Sequence, residues 1–533
     1  MKFCNYFNSI KWLALTAATI LFFLSVAHAQ EDSRPHITVA VNKLPRTLEP
    51  AEQTGNIEVR IHYSIFDTLL RRDFLNPSGN TYKLMPGLAK TWKRIDEYTV
   101  EFTLRRDVKF HNGDTLTADD VAFTFSRERM TEDNVILNSG KKHFGNLKEV
   151  IKVDDHTVRF VTTQPDLLLE QKLAGYAAGV VNARSWLKYK NGQTDWKKKA
   201  LEANRWVPVG TGPLKFKERI DGEKITFSAH DSYFLGRPAF QSVTFQKVPE
   251  RVARVAGLIG GKYDIIVDVS PERIPVFKKY PGLDARSAIL DNAHVLVFNT
   301  NAPKLEDKRL RKALSLAINR EELRRELWQN ANFTPNGHQL PSFGSMYNPQ
   351  RPGYDYDIKR AKKLVMESGY DGELLSYRVI PDYYLHSVNA ALMIIEMWRR
   401  IGINAKLELV ETWKEVRDKG VEIHAWSNTI RLPDPVGGLL VSWGPKSAVQ
   451  TRYQHWLAPD EFNKLALTVE HSSDPLHRYT AFQRMLDIFE DEMPGTILYN
   501  PLYTYGVKSN IEWTPYPLYF MDFRPDVFSI RRD

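Results

Sequence analysis

The stretch Phe102-Thr-Leu-Arg-Arg-Asp-Val108-Lys-Phe110-His-Asn112-Gly113-Asp114-Thr-Leu116-Thr117-Ala-Asp119-Asp120-Val121-Ala-Phe123-Thr-Phe-Ser-Arg127 decides how the chain is read. Phe102, Leu104, Val108 and Phe110 supply half-buried strand positions. Asn112-Gly113 is a turn dipeptide, because glycine takes positive φ without a Cβ clash. Thr117 precedes Ala-Asp-Asp120, a Thr-x-x-Asp capping box in which a hydroxyl and a carboxylate satisfy the first free amides of a helix. Val121, Phe123 and Phe125 carry the apolar pattern onward. The stretch is thus a strand, a tight turn and a capped helix.

Mixed helix and strand continue on both sides of it. Residues 36–41 read as a first strand. Residues 57–70 have helical spacing (Ile57, Ile61, Ile65, Leu69) and end in Arg71-Arg72, as a helix C-terminus prefers. Strands are expected at 98–104, 157–163, 214–219, 224–229, 242–248, 264–267, 294–298, 375–379 and 405–410. Helices are expected near 251–259, 307–319, 357–368 and 387–401. Leu310, Leu314, Ala317 and Ile318 form the core face of one of them. The polar, lysine-rich run 186–205, with isolated tryptophans, reads as a surface excursion. No repeat and no low-complexity linker divides the chain, so this is an α/β protein with interwoven domains.

Several motifs share an order and spacing. Tyr82-Lys-Leu-Met-Pro-Gly87-Leu88-Ala89-Lys-Thr-Trp92 precedes the opening stretch, and Gly210-Thr211-Gly212-Pro213 precedes a strand. Gly260-Gly261-Lys-Tyr-Asp264, Phe298-Asn299-Thr300, Asp307 to Glu321, Tyr356-Asp357 to Tyr370, and Trp398-Arg-Arg-Ile401-Gly402-Ile403 follow. Together with 102–127 they resemble extracytoplasmic solute-binding family 5, the peptide- and nickel-binding proteins of ABC importers, over about 80–505.

That resemblance implies a two-lobed periplasmic binding protein of cluster C, type II-like, with an extra subdomain in its first lobe. The implied layout is a first lobe from 30–77, 205–293 and 506–533, the extra subdomain from 78–204, and a second lobe from 294–505. Strand crossings between lobes are expected near Phe298 and Tyr505. The implied partner is an inner-membrane permease with cytoplasmic ATPases. The lobes would close on one ligand like a hinge, without covalent chemistry and without a cofactor.

Composition fits an exported, folded chain. The sequence has 533 residues, 43% hydrophobic and 12% aromatic, enough for large cores and against wholesale disorder. Lys2 and Lys11 precede the apolar run Trp12 to Val26, and Ala27-His28-Ala29 is an A-x-A signal, so residues 1–29 read as a signal peptide cleaved at Ala29/Gln30. Loss of two lysines takes the net charge from +9 to +7. No long basic run marks a nucleic-acid surface. The only cysteine, Cys4, lies inside the signal, before its apolar core rather than at a lipid-attachment position. A soluble periplasmic monomer is the expectation.

In peptide-binding members of the resembled family, a late segment of the second lobe carries a tryptophan and then an aspartate that neutralises the peptide's α-amine. The matching stretch is Ala425-Trp426-Ser427-Asn428-Thr429-Ile430-Arg431-Leu432-Pro433-Asp434-Pro435. Trp426 and Asp434-Pro435 match, but the amine-binding acid is missing. Arg431 or Thr429 stands in its place, depending on the direction of alignment. A guanidinium repels an ammonium and offers a fork of donors to carboxylate or phosphate. Arg431 therefore either contacts an anionic group of the ligand or pairs with Asp434 and shapes the loop. Thr54-Gly55-Asn56, Tyr384, His386, Trp443 and Tyr499-Asn500 complete the candidate ligand-binding residues, because polar loops and aromatics suit a cleft that closes on a solute.

Rival functions are weaker. Asp119-Asp120 as paired catalytic carboxylates competes with their place in a helix's first turn, where acids favour the dipole. Hydrolase, zinc-protease and phosphate-loop motifs are absent from the sequence. No histidine pair has i, i+3 or i, i+4 spacing, so a protein-built metal site is not expected. Other solutes remain alternatives to a peptide or peptide-like one: an oligosaccharide, an opine or sugar-phosphate conjugate, or a chelated metal.

Overall fold

The computed structural model describes residues 32–76, 82–132, 135–192 and 194–531. The expected signal, residues 1–29, lies outside the described residues. So does 77–81, where the extra subdomain was expected to start.

Two sheets carry the two lobes. The first has seven strands, in the order Leu283–Ile289, Leu502–Lys508, Ile265–Ile266, His36–Val41, Ser242–Lys247, Lys224–Ala229 and Leu214–Ile220. His36–Val41 runs parallel to both its neighbours, and the other pairings are antiparallel. Its side chains alternate, as a strand covered on both faces requires. Ile37, Val39 and Val41 join a core with Phe245 and Phe520, while Ala40 meets Leu258 and Phe277 on the other face.

The second sheet has the order Ala405–Leu409, Leu375–Val379, Ile423–Thr429, Asn292–Phe298 and Gly495–Tyr499. In its strand Asn292–Phe298, Leu296 and Phe298 pack with Trp328 and Trp398, and Val295 and Val297 pack with Trp443 and Phe489.

A third, four-stranded antiparallel sheet holds the opening stretch: Ala89–Arg94, Thr99–Leu104, Thr157–Thr162 and Leu147–Asp154. Phe102, Leu104, Val108 and Phe110 are fully rather than half buried. The strand ends at Leu104, and Val108 and Phe110 belong to a loop closed by a Lys109–Thr115 bridge. Gly113 takes φ 90° in that loop. The Thr117–Asp120 capping box is present, and Asp120 also accepts from Ala183 N at 2.9 Å. Asp119 points the other way, to Lys152 at 2.8 Å, so the two acids do not form a pair.

Three expectations need correction. The helix predicted over 57–70 is Asn56–Ile65, and Leu70–Arg72 is instead a strand paired with Leu84–Pro86. The helix stops because Asp67 is claimed by tertiary partners: Arg524 Nη2 and Tyr233 OH, each at 2.9 Å, and Thr211 Oγ1 at 2.8 Å. Residues 186–205 are not a surface excursion. The helices Ala183–Leu187 and Trp196–Trp206 bury Trp186, Trp196, Ala200 and Leu201 in the core of the seven-stranded lobe, not in the four-stranded subdomain.

The lobe crossings also fall earlier than Phe298 and Tyr505. The chain leaves one sheet after Ile289 and enters the other at Asn292; it returns between Tyr499 and Leu502. Ile289 faces Leu502 and His294 faces Tyr499, so Leu502–Lys508 pairs within the first lobe and the second lobe's sheet already begins at Asn292.

Candidate ligand-binding cleft

The strand Ile423–Thr429 is the inner strand that delivers Arg431. Just past its end, Ile430 N still donates to Asp291 O at 2.8 Å, and Arg431 N donates to Gly437 O at 2.9 Å. The backbone is thus fixed on both sides, and the guanidinium reaches across to the extra subdomain. Arg431 Nη1 donates to His143 Nε2 at 3.2 Å, and the group lies 5.2 Å from the ring centre of Tyr176. Arg431 Nε is buried without a hydrogen-bond partner. Arg72 Nη2 donates to Arg431 O, a second tie between the lobes.

No carboxylate lies within ion-pair distance of Arg431 among the described residues. Asp434 is not its partner: both Asp434 oxygens accept from Arg478 Nη2, at 2.9 and 2.8 Å, and Asp434 Oδ1 takes Val436 N at 3.0 Å. Two more cations crowd the same place. Burial, then Arg431 and Arg417, push the Lys142 ammonium down to about 7, even though much of the lysine's surface is open to water. Arg417 lies over Trp413 at 4.4 Å, Tyr453 at 5.3 Å and Trp426 at 5.6 Å, and donates to Tyr453 OH at 3.2 Å. His143 is held well below its ordinary pKa by burial and by Arg431, so it is neutral and accepts from the guanidinium. Like charges gathered without a carboxylate raise each other's energy, and an anion placed among them relieves it.

The other predicted residues divide. Thr54 lines a small cavity with Tyr176 and bonds Ser139 Oγ at 3.1 Å; Gly55 precedes the helix at its N-terminus. Asn56 and Tyr384 line a second cavity between the lobes, and Ser427 Oγ donates to Tyr384 OH at 3.1 Å. Trp426 is half-buried under Arg417, and Thr429 ends its strand opposite Asn292.

Five candidates face inward instead. Trp443 is fully buried and donates to Asn428 Oδ1 at 2.6 Å. Tyr499 packs edge-on to Trp328 at 5.4 Å. Asn500 ties the lobe crossings through Leu290 O at 3.1 Å, and Asp434 is held by Arg478. His386 packs against Trp328 at 5.1 Å rather than lining the cavity beside Tyr384. In each case a side chain that suits a cleft equally suits a packed or ion-paired interior, and sequence spacing does not separate the two.

Sequence reasoning missed Lys142, His143 and Tyr176, which come from the far side of the cleft, and Arg417, which precedes the strand of Arg431 within the second lobe. Among the described residues no cluster of potential metal ligands occurs and no helix is long and apolar enough to cross a membrane.

Two lobes joined by two adjacent strand crossings, with charged side chains meeting between them, define a solute-binding protein that encloses its ligand. The chain belongs to the bacterial extracellular solute-binding proteins, family 5, whose model matches residues 83–449. This is a family of binding proteins, not of enzymes. The chain is 26% identical over 512 residues to the probable ABC transporter periplasmic-binding protein SapA of Escherichia coli, covering 90% of this chain and 92% of the relative. A dipeptide-binding protein of Pseudoalteromonas, solved with Met-Leu, superposes with a TM-score of 0.81 at 20% identity, covering 93% of this chain and 100% of that one. AgaA of Agrobacterium tumefaciens, solved with agropinic acid, superposes with a TM-score of 0.77 at 21% identity, covering 93% and 99%. The same fold therefore holds chemically different ligands, and the ligand must be argued from the site.

Proposed function

We propose that this chain is the periplasmic substrate-binding subunit of an ABC importer, and that it captures an anionic, peptide-like or conjugate solute by lobe closure and delivers it to an inner-membrane permease. The export signal at 1–29 is cleaved, and the mature chain works as a monomer. The lobes close about the crossings at 290–291 and 500–501. The observation that carries the ligand assignment is Arg431: a guanidinium at the interlobe contact, beside Lys142 and Arg417, with no carboxylate in reach among the described residues. The site offers donors to an acid and repulsion to a free α-amine.

The test compares dialanine with N-acetyl-dialanine, which keeps the carboxylate and removes the ammonium. A solute at about 100 times its Kd adds about 2.7 kcal/mol of stability, so thermal shift reads either one. Stabilisation by the acetylated compound at least equal to that by dialanine is expected. Stabilisation by dialanine that acetylation abolishes would overturn the anionic reading.

A further inference from the structure

Beyond Arg431, the cleft holds a second buried guanidinium without a charge partner. Arg60 sits on the helix Asn56–Ile65 and is 3% exposed. Its Nη2 donates to Tyr503 OH at 2.9 Å, while Nε and Nη1 are buried with no hydrogen-bond partner. No ion pair reaches it among the described residues. An arginine loses water's hydrogen bonds on burial, and leaving two of its nitrogens unsatisfied costs more than ordinary packing returns.

Arg60 lines an interlobe cavity of about 40 Å³, together with Lys43, Asn56, Asp268, Tyr383 and Tyr384. Asp268, the one carboxylate in that lining, is already taken by Arg251 Nε at 3.0 Å and faces Arg254 at 3.6 Å. Lys43 lies 5.5 Å from the ring centre of Tyr383. The cavity is thus walled by two cations lacking carboxylate partners and by one acid already neutralised. At roughly 10–15 Å³ for each water-sized group, it has room for a carboxylate and not for a whole peptide.

A line of rings joins this cavity to the Arg431 cluster along the second lobe. Tyr383 meets Trp413 edge-on at 4.9 Å, and Arg417 lies 4.4 Å over Trp413. We propose that Arg60 is a second anion subsite, which takes one carboxylate of an extended solute whose other acidic group lies at Arg431 and Lys142. The preferred ligand is then a molecule with two separated acids. This rests on the reading of the interlobe cleft as the solute site, and Arg60 and Arg431 are tested apart.

The probes are linear dicarboxylates from succinate to sebacate and the matching monocarboxylates, titrated against the mature chain by calorimetry. One dicarboxylate length is expected to bind at least ~10-fold more tightly than its monocarboxylate, as a second charged hydrogen-bonded contact implies. Arg60→Met removes that preference and leaves monocarboxylate binding at Arg431; Arg60→Gln does the same and serves if the methionine variant does not fold. Equal binding of mono- and dicarboxylates, a preference that survives both Arg60 variants, or no binding by any of the dicarboxylates overturns the second subsite. Arg431→Ala separates the two claims: if it leaves monocarboxylate affinity unchanged while Arg60→Met lowers dicarboxylate affinity, the Arg431 reading falls and the Arg60 subsite stands.

Discussion

Arg478, not Arg431, neutralises Asp434: one Arg478 nitrogen lies 2.9 and 2.8 Å from the two carboxylate oxygens. Both residues are buried, and Arg478 Nε also donates to Val469 O at 2.9 Å. The loop that carries Arg431 is therefore braced from behind by an independent ion pair. The guanidinium of Arg431 is spared for the cleft, and the two arginines have separable roles.

Removing the bracing acid is expected to be costly. Asp434→Asn leaves the Arg478 charge buried without its partner, for which about 3–5 kcal/mol is typical. Denaturant unfolding checks this. A midpoint shift equivalent to less than ~1 kcal/mol would mean that the pair contributes little to the loop.

Changing the cleft arginine has the opposite profile. Arg431→Ala breaks no ion pair among the described residues, so stability is expected to change by less than ~1 kcal/mol while N-acetyl-dialanine binding falls roughly tenfold or more. Arg431→Asp replaces the cleft guanidinium by an acid, and it is expected to favour dialanine over its acetylated form. Calorimetry on both variants reads the reversal. An unchanged order of the two ligands sinks the assignment.

Asp291 makes the fold lose stability as pH rises toward neutrality. Its carboxyl lies at the first lobe crossing, accepts from Tyr82 OH, and is pushed up to about 6 by burial. A carboxyl with a raised folded-state pKa favours the protonated, folded form. Its contribution is full below the ordinary value near 4 and is lost as pH rises through about 6. The loss is roughly 3 kcal/mol, from 1.36 kcal/mol per pH unit. Asp291→Asn removes this component, so the difference between variant and parent stability should grow from pH ~4 to ~6 and then level off. A difference that does not vary with pH contradicts it.

Anion affinity is expected to fall as pH rises past neutrality. The Lys142 ammonium, pushed down to about 7, discharges there unless a bound anion holds its proton. Binding of N-acetyl-dialanine just above neutral pH should therefore take up protons, seen as a dependence of the calorimetric heat on the buffer's ionisation enthalpy. Lys142→Met should abolish that dependence.

Gly210 gives a purely structural control. A Cβ there would lie 2.2 Å from Ile65 O and 2.9 Å from the Phe66 ring, both fixed in the first lobe. Gly210→Ala is expected to cost about 1–3 kcal/mol by overpacking, with no change in ligand preference. Thermal unfolding with and without N-acetyl-dialanine checks both halves.

Local patterns carried much of the fold into the sequence. The Thr117–Asp120 box, the Gly113 turn and the helix Arg251–Ile259 are set by neighbours a few residues away, and all are read directly. What escaped was decided at long range. Asp67 ends a helix because Arg524 and Tyr233 reach it from distant segments. Trp186 and Trp196 sit among lysines in sequence, yet their rings enter a core, and the Lys197 stem is buried with them. Of the candidate residues named from sequence, Arg431 was marked by a break in the resembled family pattern, and Thr54, Asn56 and Tyr384 line cavities. The Arg431 neighbours Lys142 and Tyr176 come from the other side of the cleft, and Trp443 and Tyr499, which carry the same aromatic signal as Trp426 and Tyr384, face the interior.

The two crossings are bonded to each other: Leu290 N donates to Pro501 O at 3.0 Å, and Asn500 Nδ2 donates to Leu290 O at 3.1 Å. The proposed closure would therefore turn about one bonded point rather than two independent strands. In such a swing, the two halves move like a door on a fixed jamb, and Arg431 meets Tyr176 at the same spot each time.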